Sequence, residues 1–103
     1  MLILFTLLAC DAERECSTLP PSQERDVCWH DTLRSLPAEQ AARALEIAPQ
    51  IEDPIYRGAA VYAWISAHAA AVDREQGLAL CAQIEGTERG LCERRLQSAH
   101  LLR

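Results

Sequence analysis

The sequence of 103 residues predicts an all-α fold in which one helical unit is used three times. Half of the residues are hydrophobic, chiefly Ala and Leu, and β-branched and aromatic residues are too few for a sheet. Arg25, Arg57 and Arg89 follow one another at intervals of 32 residues. Two segments recur as well: Gln50-Ile51-Glu52 as Gln83-Ile84-Glu85, and Ser66-Ala67-His68 as Ser98-Ala99-His100. We therefore expect three stacked antiparallel helix hairpins, about six helices, as a small αα-solenoid or a compact helical bundle.

Unit one covers about residues 13–36. Its first helix is short and contains Cys16, and the turn Pro20-Pro21-Ser22 ends it. The second helix contains Trp29, Leu33 and Leu36. Large apolar side chains at this spacing predict a face that packs in the core, with Trp29 as an anchor.

Unit two covers about residues 37–72. Pro37 starts a helix that continues through Ala48. Asp53 before Pro54 predicts an N-cap followed by proline at the first helical position, where its missing N–H costs nothing. The second helix is expected to run from Pro54 to about Ala71, with Trp64 as a further core anchor.

Unit three covers about residues 73–103, with Asp73 as the N-cap of its first helix and a turn at Gly86-Thr87. Leu45 and Leu78 occupy one repeat position in the first helices. Three residues later come Ala48 and Cys81, and three later again Ile51 and Ile84. This spacing predicts one buried helix face.

The cysteines beyond Cys10 occupy only two positions of the repeat. Cys16 and Cys81 share the first with Ala48, and Cys28 and Cys92 share the second with Ala60. The middle unit lacks both cysteines, which is the pattern expected when the two positions touch within a unit. We therefore predict disulfides between Cys16 and Cys28 and between Cys81 and Cys92, with Ala48 against Ala60. The alternative, Cys16 with Cys81, requires the first and third units to meet.

The repeated arginines suggest a shared structural role. Each lies in the first turn of a second helix, where the helix dipole mildly disfavours a cation. We expect Arg25, Arg57 and Arg89 to form hydrogen bonds or ion pairs with the end of a helix in the preceding unit. The alternative is a row of arginines that binds anions.

Catalytic and metal chemistry have weak support. Zinc ligands usually come in close pairs, which the spacing of Cys16, Cys28, Cys81 and Cys92 does not provide, and the C-x-x-C motif of thiol redox catalysis is absent. Ser66 and His68 lie two apart on a helix and face different directions. We expect no cofactor, no metal site and no enzyme activity.

Charge excludes one class of partner. The formal net charge is -5, and every one of the ten cations is arginine without a basic cluster. Nucleic-acid binding requires clustered positive charge, so a nucleic acid is not an expected partner.

The first ten residues resemble the end of a bacterial lipoprotein signal peptide. Leu7, Ala9 and Cys10 match the lipobox, and no basic residue precedes the apolar run. The resemblance implies a signal-peptide remnant at 1–9 with a truncated start, a lipidated Cys10, and a short acidic tether through residue 15. It places the chain in a bacterial cell envelope, facing the periplasm or the exterior. The alternative is a hydrophobic first helix that packs on the domain.

The repeat itself resembles the degenerate tetratricopeptide-type αα-repeats of bacteria, whose period is about 34 residues. The run Ala44-Leu45, Ala48, Ile51, Asp53, Arg57 and Ala60 carries this resemblance. Such repeats bind peptides, protein surfaces or glycans. We therefore expect a non-catalytic, membrane-anchored interaction module whose partner is another envelope protein or peptide. The alternatives are a metal-binding or thiol-redox protein that uses the four cysteines, and a small envelope enzyme or its accessory subunit.

Overall fold

The computed structural model describes residues 16–101, and these residues form helices and connecting turns without any β-strand. The predicted all-α class is confirmed. Residues 16–18 are helical and precede the first complete helix. The elements that follow are α1 (Gln23–Arg34), a 3-10 segment (Ala38–Gln40), α2 (Ala41–Ile47), a second 3-10 segment (Ala48–Gln50), α3 (Pro54–His68), α4 (Arg74–Cys81) and α5 (Glu88–Leu101).

Side-chain caps start three of these helices. The Ser22 hydroxyl accepts a hydrogen bond from the N–H of Arg25 at 3.4 Å, ahead of α1. Asp53 accepts from the N–H of Ile55 at 2.8 Å, ahead of α3, and Asp73 from that of Gln76 at 3.1 Å, ahead of α4. The predicted caps at Asp53 and Asp73 are therefore confirmed.

The turn before α5 depends on a glycine. Gly86 has φ of +79°, a left-handed backbone conformation that costs glycine little and other residues more. This conformation reverses the chain between α4 and α5 and confirms the turn predicted at Gly86-Thr87.

Two predicted helix boundaries in unit two were wrong. Pro37 precedes a 3-10 segment, and α2 runs only from Ala41 to Ile47. It stops there because Pro49 has no N–H to donate to the carbonyl of Leu45. The second helix ends at His68 rather than Ala71, because the N–H of Ala71 donates to the carbonyl of His68, three residues back, and so departs from the α-helical i→i−4 pattern.

One backbone hydrogen bond recurs in all three units, at the end of each first helix. The N–H of Leu19 donates to the carbonyl of Cys16 at 3.3 Å, that of Ile51 to Ala48 at 3.1 Å, and that of Ile84 to Cys81 at 3.0 Å. The three residue pairs are those that the repeat aligns. The local turn is thus repeated together with the sequence.

The helices pack as two layers. The second helices of the units lie side by side, α1 on α3 and α3 on α5, and the first helices α2 and α4 pack on each other. Helix α4 also packs on α5, so unit three is an antiparallel hairpin. Trp29 and Trp64 are 5% and 1% exposed, which confirms both as core residues. The indole N–H of Trp64 donates to the carbonyl of Leu36 at 2.8 Å and joins unit two to unit one.

The buried face of the first helices differs from the prediction. Leu45 is half-buried and Leu78 is 38% exposed, whereas Ile47 and Leu80 are fully buried. With 3.6 residues per turn, Leu80 and Cys81 lie near the centre of the buried face of α4. Leu78 lies at the edge of that face. Ile51 and Ile84 are buried as predicted.

Candidate functional site

Both predicted disulfides are present. Cys16 is bonded to Cys28 with their Cα atoms 5.5 Å apart, and Cys81 to Cys92 with theirs 5.6 Å apart. Cys16, Cys81 and Cys92 are fully buried. Each bridge joins the first helix of an end unit to its second helix, as the repeat predicted.

In the middle unit, alanines occupy the corresponding positions. Ala48 and Ala60 are both fully buried, and the 3-10 segment that holds Ala48 packs against α3, which holds Ala60. The close approach of these two residues stays a prediction.

Two of the three repeated arginines, Arg57 and Arg89, donate hydrogen bonds to the end of their own unit's first helix. Arg57 donates through Nη1 to the carbonyl of Ile51 at 2.9 Å, and Arg89 through Nε to that of Ile84 at 2.8 Å. These carbonyls are equivalent in the repeat. The expected contact with the preceding unit is therefore corrected, because the guanidinium in the first turn of a second helix reaches back across the turn of its own unit.

Arg57 makes an additional contact with the following unit. Its Nε donates to the carbonyl of Gln83 at 3.0 Å, and its Nη2 lies 3.5 Å from a carboxylate oxygen of Glu85. Arg57 therefore forms an inter-repeat contact, but with the following unit and not with the preceding one. In unit one, the Nε of Arg25 is buried and has no hydrogen-bond partner among residues 16–101.

Unit one is joined to unit two by a buried carboxylate, a role that the sequence reasoning missed. Asp26 is 6% exposed and accepts hydrogen bonds from two consecutive backbone N–H groups, that of Glu52 at 2.9 Å and that of Asp53 at 3.0 Å. The alignment contains a signal for it, since Asp26 corresponds to Gly58 and Gly90. Only the structure identifies the two donors.

The corresponding junction between units two and three contains an open hollow of about 630 Å³. We call it the second-junction hollow. Its lining residues are Pro54, Ile55, Gly58, Ala59, Tyr62, Ile84, Glu85, Gly86 and Glu88. Ile84 forms a buried floor, whereas Ile55 is 80% exposed and Tyr62 is 38% exposed. A surface isoleucine exposed to this degree beside a hollow is a candidate contact for another molecule.

Three substitutions within the repeat distinguish the second junction from the first, where a smaller hollow of about 390 Å³ is lined by Gln23, Asp26, Asp53, Ile55 and Tyr56. Gly58 stands where unit one has Asp26, so no side chain reaches the N–H groups of Glu85 and Gly86, which donate no hydrogen bond within residues 16–101. At the first junction Gln23 donates from its side-chain amide to the hydroxyl of Tyr56. Ile55 and Glu88 occupy those two positions at the second junction.

The remaining candidates for chemistry are distributed over separate helices. The ring of His68 lies 4.8 Å from that of Trp64 on α3, and His30 on α1 meets the edge of Tyr56. His100 on α5 lines a different hollow with Arg74 and Glu93. Within residues 16–101, no three His, Cys, Asp or Glu side chains are grouped so as to hold a metal ion.

The four cysteine sulfurs of the metal and thiol-redox alternative are all engaged in the two disulfides. They have no thiolate to offer to a metal or a substrate while these bonds are intact.

Cys10 and the segments 1–9 and 10–15 lie outside the described residues. Among residues 16–101, no helix has the length and apolar character needed to cross a membrane. Comparison of the chain with models of protein families, with curated proteins and with solved structures finds no match.

Proposed function

We propose that this chain is a non-catalytic interaction module of a bacterial cell envelope, anchored to a membrane through a lipid on Cys10. The observation that carries the proposal is the use of the cysteines. Cys16, Cys28, Cys81 and Cys92 form two disulfides within their own units, and Cys10 is the one cysteine that remains. Disulfides persist in oxidising compartments such as the periplasm and the cell surface, which are the compartments of lipoproteins.

The surface supports binding as the activity. Two charged side chains serve the fold, because the guanidinium of Arg57 and the carboxylate of Asp26 both join units. The second-junction hollow, in contrast, presents apolar side chains to solvent. Helical repeats commonly use the surface formed by successive units to bind a partner.

Metabolic labelling tests the lipid anchor. The full chain, expressed in a bacterium fed with labelled palmitate, is expected to incorporate label and to sediment with membranes. Cys10→Ala is expected to lose both properties, because no other cysteine follows a lipobox. The double variant Cys16→Ala and Cys28→Ala is the matched control and is expected to keep the label. Equal labelling of Cys10→Ala and the natural chain would remove the anchor from the proposal.

A further inference from the structure

We infer that the second-junction hollow is the docking site for a partner peptide segment in which an apolar side chain is flanked by Arg or Lys. This inference rests on the proposed function as an interaction module and names the class of partner. Three features of the hollow carry it: an apolar lining, two backbone donors without an acceptor, and an acidic rim.

The lining selects an apolar side chain. Ile55, Ala59 and Tyr62 all belong to α3 and are exposed, and buried Ile84 lies beneath them. A volume of about 630 Å³ exceeds that of any one side chain and falls within the roughly 300 to 1,000 Å³ usual for ligand pockets. A leucine or phenylalanine that covered Ile55 would remove it from water, at about 25 cal/mol for each Å² of apolar surface buried.

The two donors select a peptide backbone. The N–H groups of Glu85 and Gly86 correspond to those of Glu52 and Asp53, which the Asp26 carboxylate occupies at the first junction. The first junction thus shows that this pair can donate to two acceptor oxygens, one for each N–H group. Gly58 provides no such oxygens at the second junction. A carbonyl of the partner backbone, next to an apolar side chain, would accept from one of the two N–H groups.

The acidic rim of the hollow, formed by Glu85 and Glu88, indicates which oxygen the partner presents to the two N–H groups, a carbonyl or a carboxylate. Glu85 and Glu88 line the hollow, and no cationic side chain lines it. Arg57 lies near Glu85, but its guanidinium also donates to two backbone carbonyls. A second carboxylate would be repelled by the two glutamates, whereas an Arg or Lys beside the apolar residue would pair with them.

Gly58 offers a variant that separates binding from folding. A Cβ placed at Gly58 would lie 3.5 Å from the Cγ2 of Ile84, an ordinary contact, so a larger side chain fits there. Gly58→Asp is expected to copy the first junction, with its carboxylate on the N–H groups of Glu85 and Gly86. It should therefore occupy the two N–H groups and narrow the hollow, since the first junction keeps a smaller hollow of about 390 Å³ beside Asp26. The melting temperature of the variant is measured as well, so that lost binding is distinguished from lost folding.

The experiment is a titration of the ¹⁵N-labelled full chain, with both disulfides formed, by three synthetic peptides. The first peptide, the probe, contains two leucines flanked by arginines. The second has glutamates in place of the arginines. The third has serines in place of the leucines. The probe is expected to shift the amide signals of Gly58, Glu85 and Gly86 and leave that of Val27 on unit one unchanged. Both matched peptides are expected to bind at least tenfold more weakly.

Two variants complete the test. Gly58→Asp and Glu88→Arg are each expected to weaken binding of the probe at least tenfold. Glu75→Arg, an exposed charge reversal on α4 away from the hollow, should leave it unchanged. The inference is overturned if the glutamate peptide binds as tightly as the probe, if the shifts lie elsewhere, or if Gly58→Asp keeps its affinity. These results leave the lipid anchor untouched, because palmitate labelling of Cys10 is measured separately.

Discussion

Asp26 shows how one substitution gives a repeat position a new role. Among residues 16–101 it is the one charged side chain that is buried, and it is satisfied by two backbone donors at the start of unit two. Arg57 joins units two and three in the same way, but as a cationic donor: its guanidinium donates a hydrogen bond to a backbone carbonyl of unit three. The two junctions are therefore held by different groups, a carboxylate at the first and a guanidinium at the second.

Replacement of Asp26 by alanine should destabilise the fold by about 2 kcal/mol, because hydrogen bonds to a charged group contribute roughly 1.5 to 3 kcal/mol. Asp31→Ala is the matched control, since its side chain on the same helix is 72% exposed. We expect it to change stability by less than about 0.5 kcal/mol. Urea unfolding of both variants, with the disulfides intact, measures the difference. Equal midpoints for the two would contradict the role of Asp26 as a link between units.

At the scale of the helical elements, the repeat alignment predicted more than the helix boundaries. It predicted both disulfides, because equivalent positions in homologous hairpins face each other in the same way. It could not predict that the helix expected from Pro37 to Ala48 begins as a 3-10 segment, Ala38–Gln40, and becomes α-helical only at Ala41. Nor could it distinguish Leu78 from Leu80 as the buried residue, because that choice depends on how each helix is rotated against its neighbours.

The candidate site was harder to predict from the sequence than the fold. Gly58 and Ile55 have no reactive or charged group that would mark a site. They stand out only when they are compared with the equivalent residues of unit one, Asp26 and Gln23. The sequence shows the substitution of Gly58 for Asp26 but not the N–H groups that this substitution leaves open. Those groups become visible only when the backbone of the following unit is placed beside α3.

The equivalence of the three units predicts that the middle one accepts a disulfide. The double variant Ala48→Cys and Ala60→Cys should form a third bridge, because the equivalent Cα atoms are 5.5 and 5.6 Å apart in the end units. A loop of about a dozen residues gains roughly 3 kcal/mol from such a bridge in the chain-entropy model. Non-reducing mass spectrometry measures the loss of two hydrogens.

The control for this bridge pairs Ala48→Cys with Ala59→Cys, since Ala59 is exposed and precedes Ala60 on the same helix. We expect those two thiols to remain free. If the thiols at positions 48 and 60 alkylate as completely as this control pair, the middle unit does not share the geometry of its neighbours.

At the scale of the whole molecule, the outer surface of unit three differs from the surfaces that are buried between units. Val61 and Ile65 on α3 are fully buried, and the equivalent residues on α5 are Glu93 and Gln97, both exposed. Trp29 and Leu33 fill the same positions in unit one and are buried. Polar residues at these positions suit a unit that faces solvent on one side. Within residues 16–101, the disulfides lie in units one and three, each of which packs on unit two.

One unit is used three times, and units one and three each contain a disulfide. Peptide mapping of the natural protein tests this arrangement most directly, after free thiols are alkylated during lysis and the chain is cleaved after arginine without reduction. Cleavage after arginine places each of the four cysteines on a separate peptide, so the linked pairs can be identified by mass. These peptides are 15–25, 26–34, 75–89 and 90–94. We predict that 15–25 is linked to 26–34 and 75–89 to 90–94, with none of these four cysteines alkylated. A link between 15–25 and 75–89, or alkylation of all four, would contradict the account.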